Sequence, residues 1–167
     1  MDKKAVLLKQ DTSLFHTQDL ALLWRLVDRN TLYTTIKRYI DAGILIPIHK
    51  GYYSIKALPD LDPVELGLRS LHRYGYLSCE YVLAREGIIF QKIPFITLVS
   101  SISKKFTIEN HGYIVRQMDE TLLYQSDGLV DTGKYREATL ERAVSDILYF
   151  NPRYHFDAQE RIDWKKV

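Results

Sequence analysis

Cysteine is almost missing from this chain: Cys79 is the only one among 167 residues. That excludes an intramolecular disulfide and any zinc cluster built on cysteine. Five histidines, His16, His49, His72, His111 and His155, lie scattered. They show neither an HExxH motif nor a Cys-His spacing, so no metal site is expected. No apolar run approaches the roughly 18 residues that span a bilayer, and Met1-Asp2-Lys3-Lys4 is not followed by the apolar stretch of a signal peptide. A soluble, cytoplasmic chain with no membrane partner is expected.

Catalytic signatures are also missing. There is no glycine-rich phosphate loop and no serine or cysteine nucleophile in a recognisable setting. Glu141 and Asp146 are five positions apart, about 140° around a helix, and so cannot share a face as an acid/base pair. Arg142 and Asp146 are expected to bond neighbouring loops instead. Asp163-Trp164-Lys165 is only a fragment of a metal-dependent nuclease motif. Neither catalysis nor a cofactor is expected.

One stretch does carry a functional pattern: Asn30 to Ile55, NTLYTTIKRYIDAGILIPIHKGYYSI. On a helix turning about 100° per residue, Leu32, Ile36, Tyr39 and Ile40 share one side. Asn30, Thr34, Lys37, Arg38 and Asp41 share the other. Asn30 reads as the N-cap, and Gly43 as the left-handed residue that ends the helix. Ile44–Ile48 reads as a short strand in which Pro47 implies an edge or a bulge. His49-Lys50-Gly51 supplies a turn, and Tyr52–Ile55 a returning strand.

Upstream, Lys3–Gln10 has the apolar content of a short helix. Thr17 reads as the cap of a second helix carrying Leu20, Leu23 and Trp24, with Val27-Asp28-Arg29 as the turn that follows. Helix, helix, turn, helix and basic hairpin make a winged helix-turn-helix pattern over residues 1–58.

Downstream, Leu58-Pro59-Asp60-Leu61-Asp62-Pro63 reads as a linker, and Asp62-Pro63 with Glu65 as a helix start running to about Gly75. Ser78 reads as the cap of a helix ending at Gly87. Ile93–Val99, Lys105–Glu109, Tyr113–Met118 and Leu122–Tyr124 read as strands of an antiparallel sheet. Thr139 reads as the cap of a last helix, Leu140–Phe150, stopped by Asn151-Pro152. The expected fold class is α+β: a winged helix-turn-helix over residues 1–58, then an α+β domain over 59–167 with helices flanking an antiparallel sheet.

Net charge is only +2, too small to announce nucleic acid by itself. Its distribution says more: residues 1–60 hold nine Lys/Arg and six Asp/Glu, a net +3, whereas the remainder nets −1. A DNA major groove accepts a helix whose outward side chains reach base edges while Lys and Arg reach phosphates. The expected contact set is therefore Arg29, Thr31, Thr34, Lys37 and Arg38, with Tyr33 at its margin, His49 and Lys50 in the wing, and Tyr52 flanking it. The alternative reading is a protein-protein module that docks a partner rather than DNA. Twelve tyrosines raise the thought of a stacking surface, but half-buried core or interface positions are the simpler reading.

Several short motifs resemble one family. Phe15-His16-Thr17-Gln18-Asp19-Leu20, Thr31-Leu32-Tyr33, Asp41-Ala42-Gly43-Ile44-Leu45 and Gly51-Tyr52-Tyr53 resemble the N-terminal winged helix of AbiEi-type antitoxins, which regulate abortive-infection (type IV) toxin-antitoxin pairs. Leu77–Leu83 resembles that family's segment after the linker. Ala138-Thr139-Leu140-Glu141-Arg142-Ala143, with Asp146, resembles its C-terminal ERA-x-x-D helix. The resemblance implies a transcriptional regulator that represses its own operon by binding inverted repeats in double-stranded promoter DNA, as a monomer or a dimer. It also implies an antitoxin whose C-terminal domain neutralises a nucleotidyltransferase toxin functionally rather than by tight binding.

Overall fold

Local capping signals place the helices of the N-terminal half. The Asp2 carboxylate accepts from the backbone N–H groups of Lys4 and Ala5 and starts α1 (Lys3–Leu8). A three-residue strand β1 (Leu14–His16) leads directly into α2 (Thr17–Trp24). There Asp19 reaches back to the His16 N–H at 2.7 Å, half of a capping box set one residue earlier than a Thr17 cap. The third helix, α3 (Arg29–Asp41), starts earlier than expected as well. Asp28, not Asn30, is its cap: the Asp28 carboxylate accepts from the Thr31 N–H at 2.6 Å.

At the other end of α3, Gly43 adopts φ +71°. The N–H groups of Gly43 and Ile44 return to the carbonyls of Ile40 and Tyr39, each at 2.9 Å. This pair of bonds is a Schellman stop, and the positive φ is why glycine is needed there. A hairpin of β2 (Ile46–His49) and β3 (Tyr52–Ser54) follows. β1 pairs with the far side of β3, giving an antiparallel sheet ordered β1-β3-β2. Pro47 sits on edge strand β2 next to a register shift, where a residue without an N–H costs the ladder least. Leu7, Phe15, Leu20, Trp24, Leu32, Ile36 and Leu45 make one buried core.

The structure describes residues 1–167 and is a computed structural model. It divides the chain into two units, Met1–Asp62 and Pro63–Val167. The second unit begins with α4 (Pro63–Ser70) and a short strand β4 (Gly75–Leu77). Next come α5 (Glu80–Arg85), β5 (Phe95–Ser100), β6 (Lys104–Ile108) and β7 (His111–Gln117). The unit closes with α6 (Glu120–Leu123), β8 (Leu129–Asp131), β9 (Arg136–Ala138) and α7 (Leu140–Phe150). Taken together the elements make an α+β fold.

Three expectations for this unit need correction. The sheet is mixed rather than antiparallel: its order is β6-β7-β5-β4-β9-β8, with β5 parallel to β7 and β4 parallel to β9. The β6-β7 hairpin folds so that its second strand, not its first, meets β5, which forces the parallel pairing. Leu122 and Leu123 belong to helix α6, because the Asp119 carboxylate caps it through the Thr121 N–H at 2.9 Å. Three apolar residues in a row fit either element, and the cap decides. Ser78 does not cap α5. The N–H of Tyr81 instead reaches the Thr97 hydroxyl on β5 at 3.0 Å, and Ser78 turns to Asp146.

α7 follows the expected pattern. The Thr139 hydroxyl accepts from the Arg142 N–H at 3.3 Å, and Ala143, Val144, Asp146 and Ile147 are buried. No helix is long and apolar enough to cross a membrane.

Candidate nucleic-acid interface

Packing on one side of α3 determines what its other side presents. Leu32 and Ile36 are buried in the core of the first unit, and Tyr39 and Ile40 are half-buried. Thr35 joins the buried side, its hydroxyl donating to the Thr31 carbonyl at 2.7 Å. That internal bond is how a polar residue is tolerated there. Arg29, Asn30, Thr31, Tyr33, Thr34, Lys37 and Arg38 are all exposed. Eight of the nine expected contact residues are thus solvent-facing, His49 and Lys50 of the hairpin included.

Tyr52 is the exception and is corrected here: it is fully buried. β3 is the central strand of its sheet, so both of its faces are covered. Tyr53 packs on the apolar core. Tyr52 lies against His16 of β1, stacked at 4.6 Å between centroids, and against His49, tilted at 5.1 Å. Its role is to hold His49 and the turn in place rather than to touch a partner. Strand β1, which sequence periodicity does not reveal, supplies the covering ring.

The turn of the hairpin is anchored from a second direction. Gly51 takes φ +79°, and its carbonyl accepts from the Thr17 N–H at 3.0 Å, at the start of α2. The Thr17 hydroxyl lies so near Gly51 that an added Cβ would meet it at 3.3 Å. Lys50 is therefore carried on a turn fixed to α2 by hydrogen bonding and braced from below by Tyr52. Between this turn and α3 runs a groove lined by Tyr33, Ile40, Pro47, His49 and Lys50, with Thr17, Gly51 and Tyr53.

Arg29, Lys37, Arg38 and Lys50 form no ion pair, and all four are exposed. The Arg38 guanidinium lies 6.0 Å from the Tyr39 ring centroid, a contact that shapes its stem without using its N–H donors. Asp28 and Asp41 sit at the two ends of α3. The free positive charge therefore lies at the first residue of the helix, Arg29, at Lys37 and Arg38 in its second half, and at the tip of the hairpin.

In the second unit Arg142 and Asp146 of α7 look inward. Arg142 donates to Asp146 at 3.0 Å, to the carbonyls of Gln125 and Asp127 at 2.9 and 2.7 Å, and to the Tyr76 hydroxyl at 2.9 Å. Ser78 donates to the other oxygen of Asp146 at 2.7 Å. Burial raises the Asp146 carboxyl above its ordinary range, and Ser78 and Arg142 pull it back in part. Burial, then the charge of Asp146, also raises the Tyr76 hydroxyl. With a longer bond to the Leu122 carbonyl at 3.4 Å, all five donors of the guanidinium face acceptors inside the unit, so this cluster latches the end of α6, the turn after it and β4 to α7 rather than displaying a reactive group. No protein-family model matches the chain, and no curated protein matches it in sequence.

Proposed function

We propose that the first unit is a winged helix-turn-helix that binds double-stranded DNA, and that the chain is a sequence-specific transcriptional regulator. The observation that carries this reading is the division of α3. Leu32 and Ile36 are buried, while Thr31, Thr34, Lys37 and Arg38 stand free on the opposite side beside a hairpin tip bearing Lys50. Such a helix presents hydroxyls and cations at the spacing that base edges and phosphates require. Supporting it is the element order α1-β1-α2-α3-β2-β3, in which α2 and α3 form the helical pair and the β2-β3 hairpin the wing.

The motif resemblance extends the proposal to an autoregulating antitoxin of the AbiEi type. The partner would then be an inverted repeat in the chain's own promoter, with neutralisation of a nucleotidyltransferase toxin as the second role. No catalytic step is part of this reading.

The test is fluorescence anisotropy with the DNA upstream of the coding sequence, across a salt series. If Arg29, Lys37, Arg38 and Lys50 each meet a phosphate, log Kd against log salt has a slope magnitude of about 3.6, and Lys37→Ala with Arg38→Ala lowers it by about 2. Unchanged affinity and slope in the double variant refute the proposed face. Capture of a neighbouring gene's product with no DNA shift favours the protein-docking alternative.

A further inference from the structure

One residue on the outward side of α3 has a different role from the one its place in the chain suggests. Asn30 is expected to cap the helix, but Asp28 does so, its carboxylate accepting from the Thr31 N–H at 2.6 Å. The Asn30 carboxamide is thereby released. It is exposed and has no hydrogen-bond partner in the protein. Its neighbour Thr31 is engaged on every side: its hydroxyl and N–H both serve the Asp28 cap, and its carbonyl accepts from Thr35 at 2.7 Å. Arg29 carries donors only. Asn30 is therefore the first-turn side chain that offers a free donor beside a free acceptor. Asparagine is also a poorer helix former than alanine, and no bond within the protein offsets that cost at this exposed position.

Helical spacing puts Asn30 on the ridge that continues through Thr34 and Lys37 to Asp41, opposite Leu32 and Ile36. Lys37 and Arg38 stand about 10–12 Å farther along the helix axis, close to the roughly 12 Å width of a DNA major groove. A base contact at Asn30 and phosphate contacts at the two cations can therefore be made together. The other end of the ridge is closed by the exposed carboxylate of Asp41, which phosphates repel. The acid at the Asn30 end, Asp28, is turned to the Thr31 N–H at the positive pole of the helix. The Asn30 end is thus the one that leads. There a carboxamide is the complement of the adenine edge in the major groove, where N7 accepts and N6–H donates. A hydroxyl such as that of Thr34 serves as donor or acceptor and discriminates less.

We propose that Asn30 reads an adenine: its Nδ2–H donates to N7, and its Oδ1 accepts from N6–H, of one base in the major groove. The inference rests on DNA binding by α3 and adds the base that the helix selects. Lys37, Arg38 and Lys50 hold phosphates, so affinity and sequence choice lie on different side chains.

The experiment takes the full chain and a randomised double-stranded DNA library, selected in parallel by wild type and Asn30→Ala and then sequenced. Wild type is expected to enrich a site with a fixed adenine, and Asn30→Ala the same site with that one position relaxed. Fluorescence anisotropy on the wild-type site then compares adenine at that position with 7-deazaadenine, which keeps its base pairing but lacks N7. Wild type is expected to bind the 7-deaza site about tenfold or more weakly, and Asn30→Ala to bind the two sites equally. The salt slope stays the same in the variant, because a carboxamide neutralises no phosphate. Alanine favours the helix at this exposed position, and an unchanged circular dichroism melt shows that the variant is folded. A selected site without a fixed adenine overturns the proposal and leaves DNA binding by α3 standing. So does an unchanged adenine preference in folded Asn30→Ala, or equal wild-type affinity for the 7-deaza site, a comparison that needs no variant. Absence of any enriched sequence and of any binding overturns the DNA reading of α3 together with the proposal.

Discussion

Removal of the Arg142 guanidinium tests the latch of the second unit most directly. Arg142→Ala leaves Asp146 with Ser78 as its remaining donor, at 2.7 Å, in a position that is 3% exposed. Breaking a buried ion pair from one side costs about 3–5 kcal/mol, because a charge stays behind without compensation. The other losses are smaller. Gln125 and Asp127 are exposed, so water replaces Arg142 at their carbonyls, and the Tyr76 hydroxyl keeps Met118 Sδ as a partner at 3.6 Å. The ion-pair contribution therefore dominates, and the expected total is about 3–5 kcal/mol, a large part of the 5–15 kcal/mol typical of a domain.

Arg142→Lys retains a cation for Asp146 but cannot span Tyr76 and the two loop carbonyls as the planar fork does. It should fall between wild type and alanine. Urea unfolding followed by Trp164 fluorescence, in a Trp24→Phe background so that only the second unit reports, gives the comparison. A loss below about 1 kcal/mol for Arg142→Ala refutes the argument, because so small a value is what an exposed pair yields.

Two further outcomes follow from the same geometry. A Cβ on Gly67 of α4 would lie 2.1 Å from the Tyr113 ring, and Tyr113 is held by its hydroxyl bond to the Pro63 carbonyl at 2.6 Å. Gly67→Ala should therefore destabilise the second unit by about 1–3 kcal/mol through overpacking, despite a helix-propensity gain of up to about 1 kcal/mol; a stabilised variant in urea melts contradicts this. Aspartate carboxyls followed by ¹³C NMR should titrate in opposite directions from their ordinary range. Asp28 lies below it, held by the Thr31 hydroxyl and N–H, so its contribution is present above the unfolded value and is lost as pH falls through the folded one. Asp146 lies above it through burial, so its contribution is present below the unfolded value and is lost as pH rises through the folded one. Asp146 titrating before Asp28 as the pH is raised rules out this assignment.

Local signals were legible in the chain before it folds: the apolar spacing of α3, the glycine that stops it, Pro47 at a weak point of its strand, and the Thr139 cap. Each is made by residues within a few positions of one another, so their chemistry can be read without knowing what lies across the fold. Even there, competition between neighbouring caps escaped the pattern, and Asp28 rather than Asn30 starts α3.

Tertiary structure alone decided the rest. β1 and β4 are three-residue strands that exist only because distant segments pair with them, and the short β8-β9 hairpin joins the sheet only through the pairing of β9 with β4. β1 in turn buries Tyr52, removing it from the expected contact face. The parallel pairing of β5 with β7 depends on which strand of a hairpin docks. Glu80 and Arg116, 36 positions apart, form their ion pair only when α5 and β7 come together. Hydrogen-bond partners across such distances leave no periodicity in the chain, and burial of an individual side chain depends on what covers it.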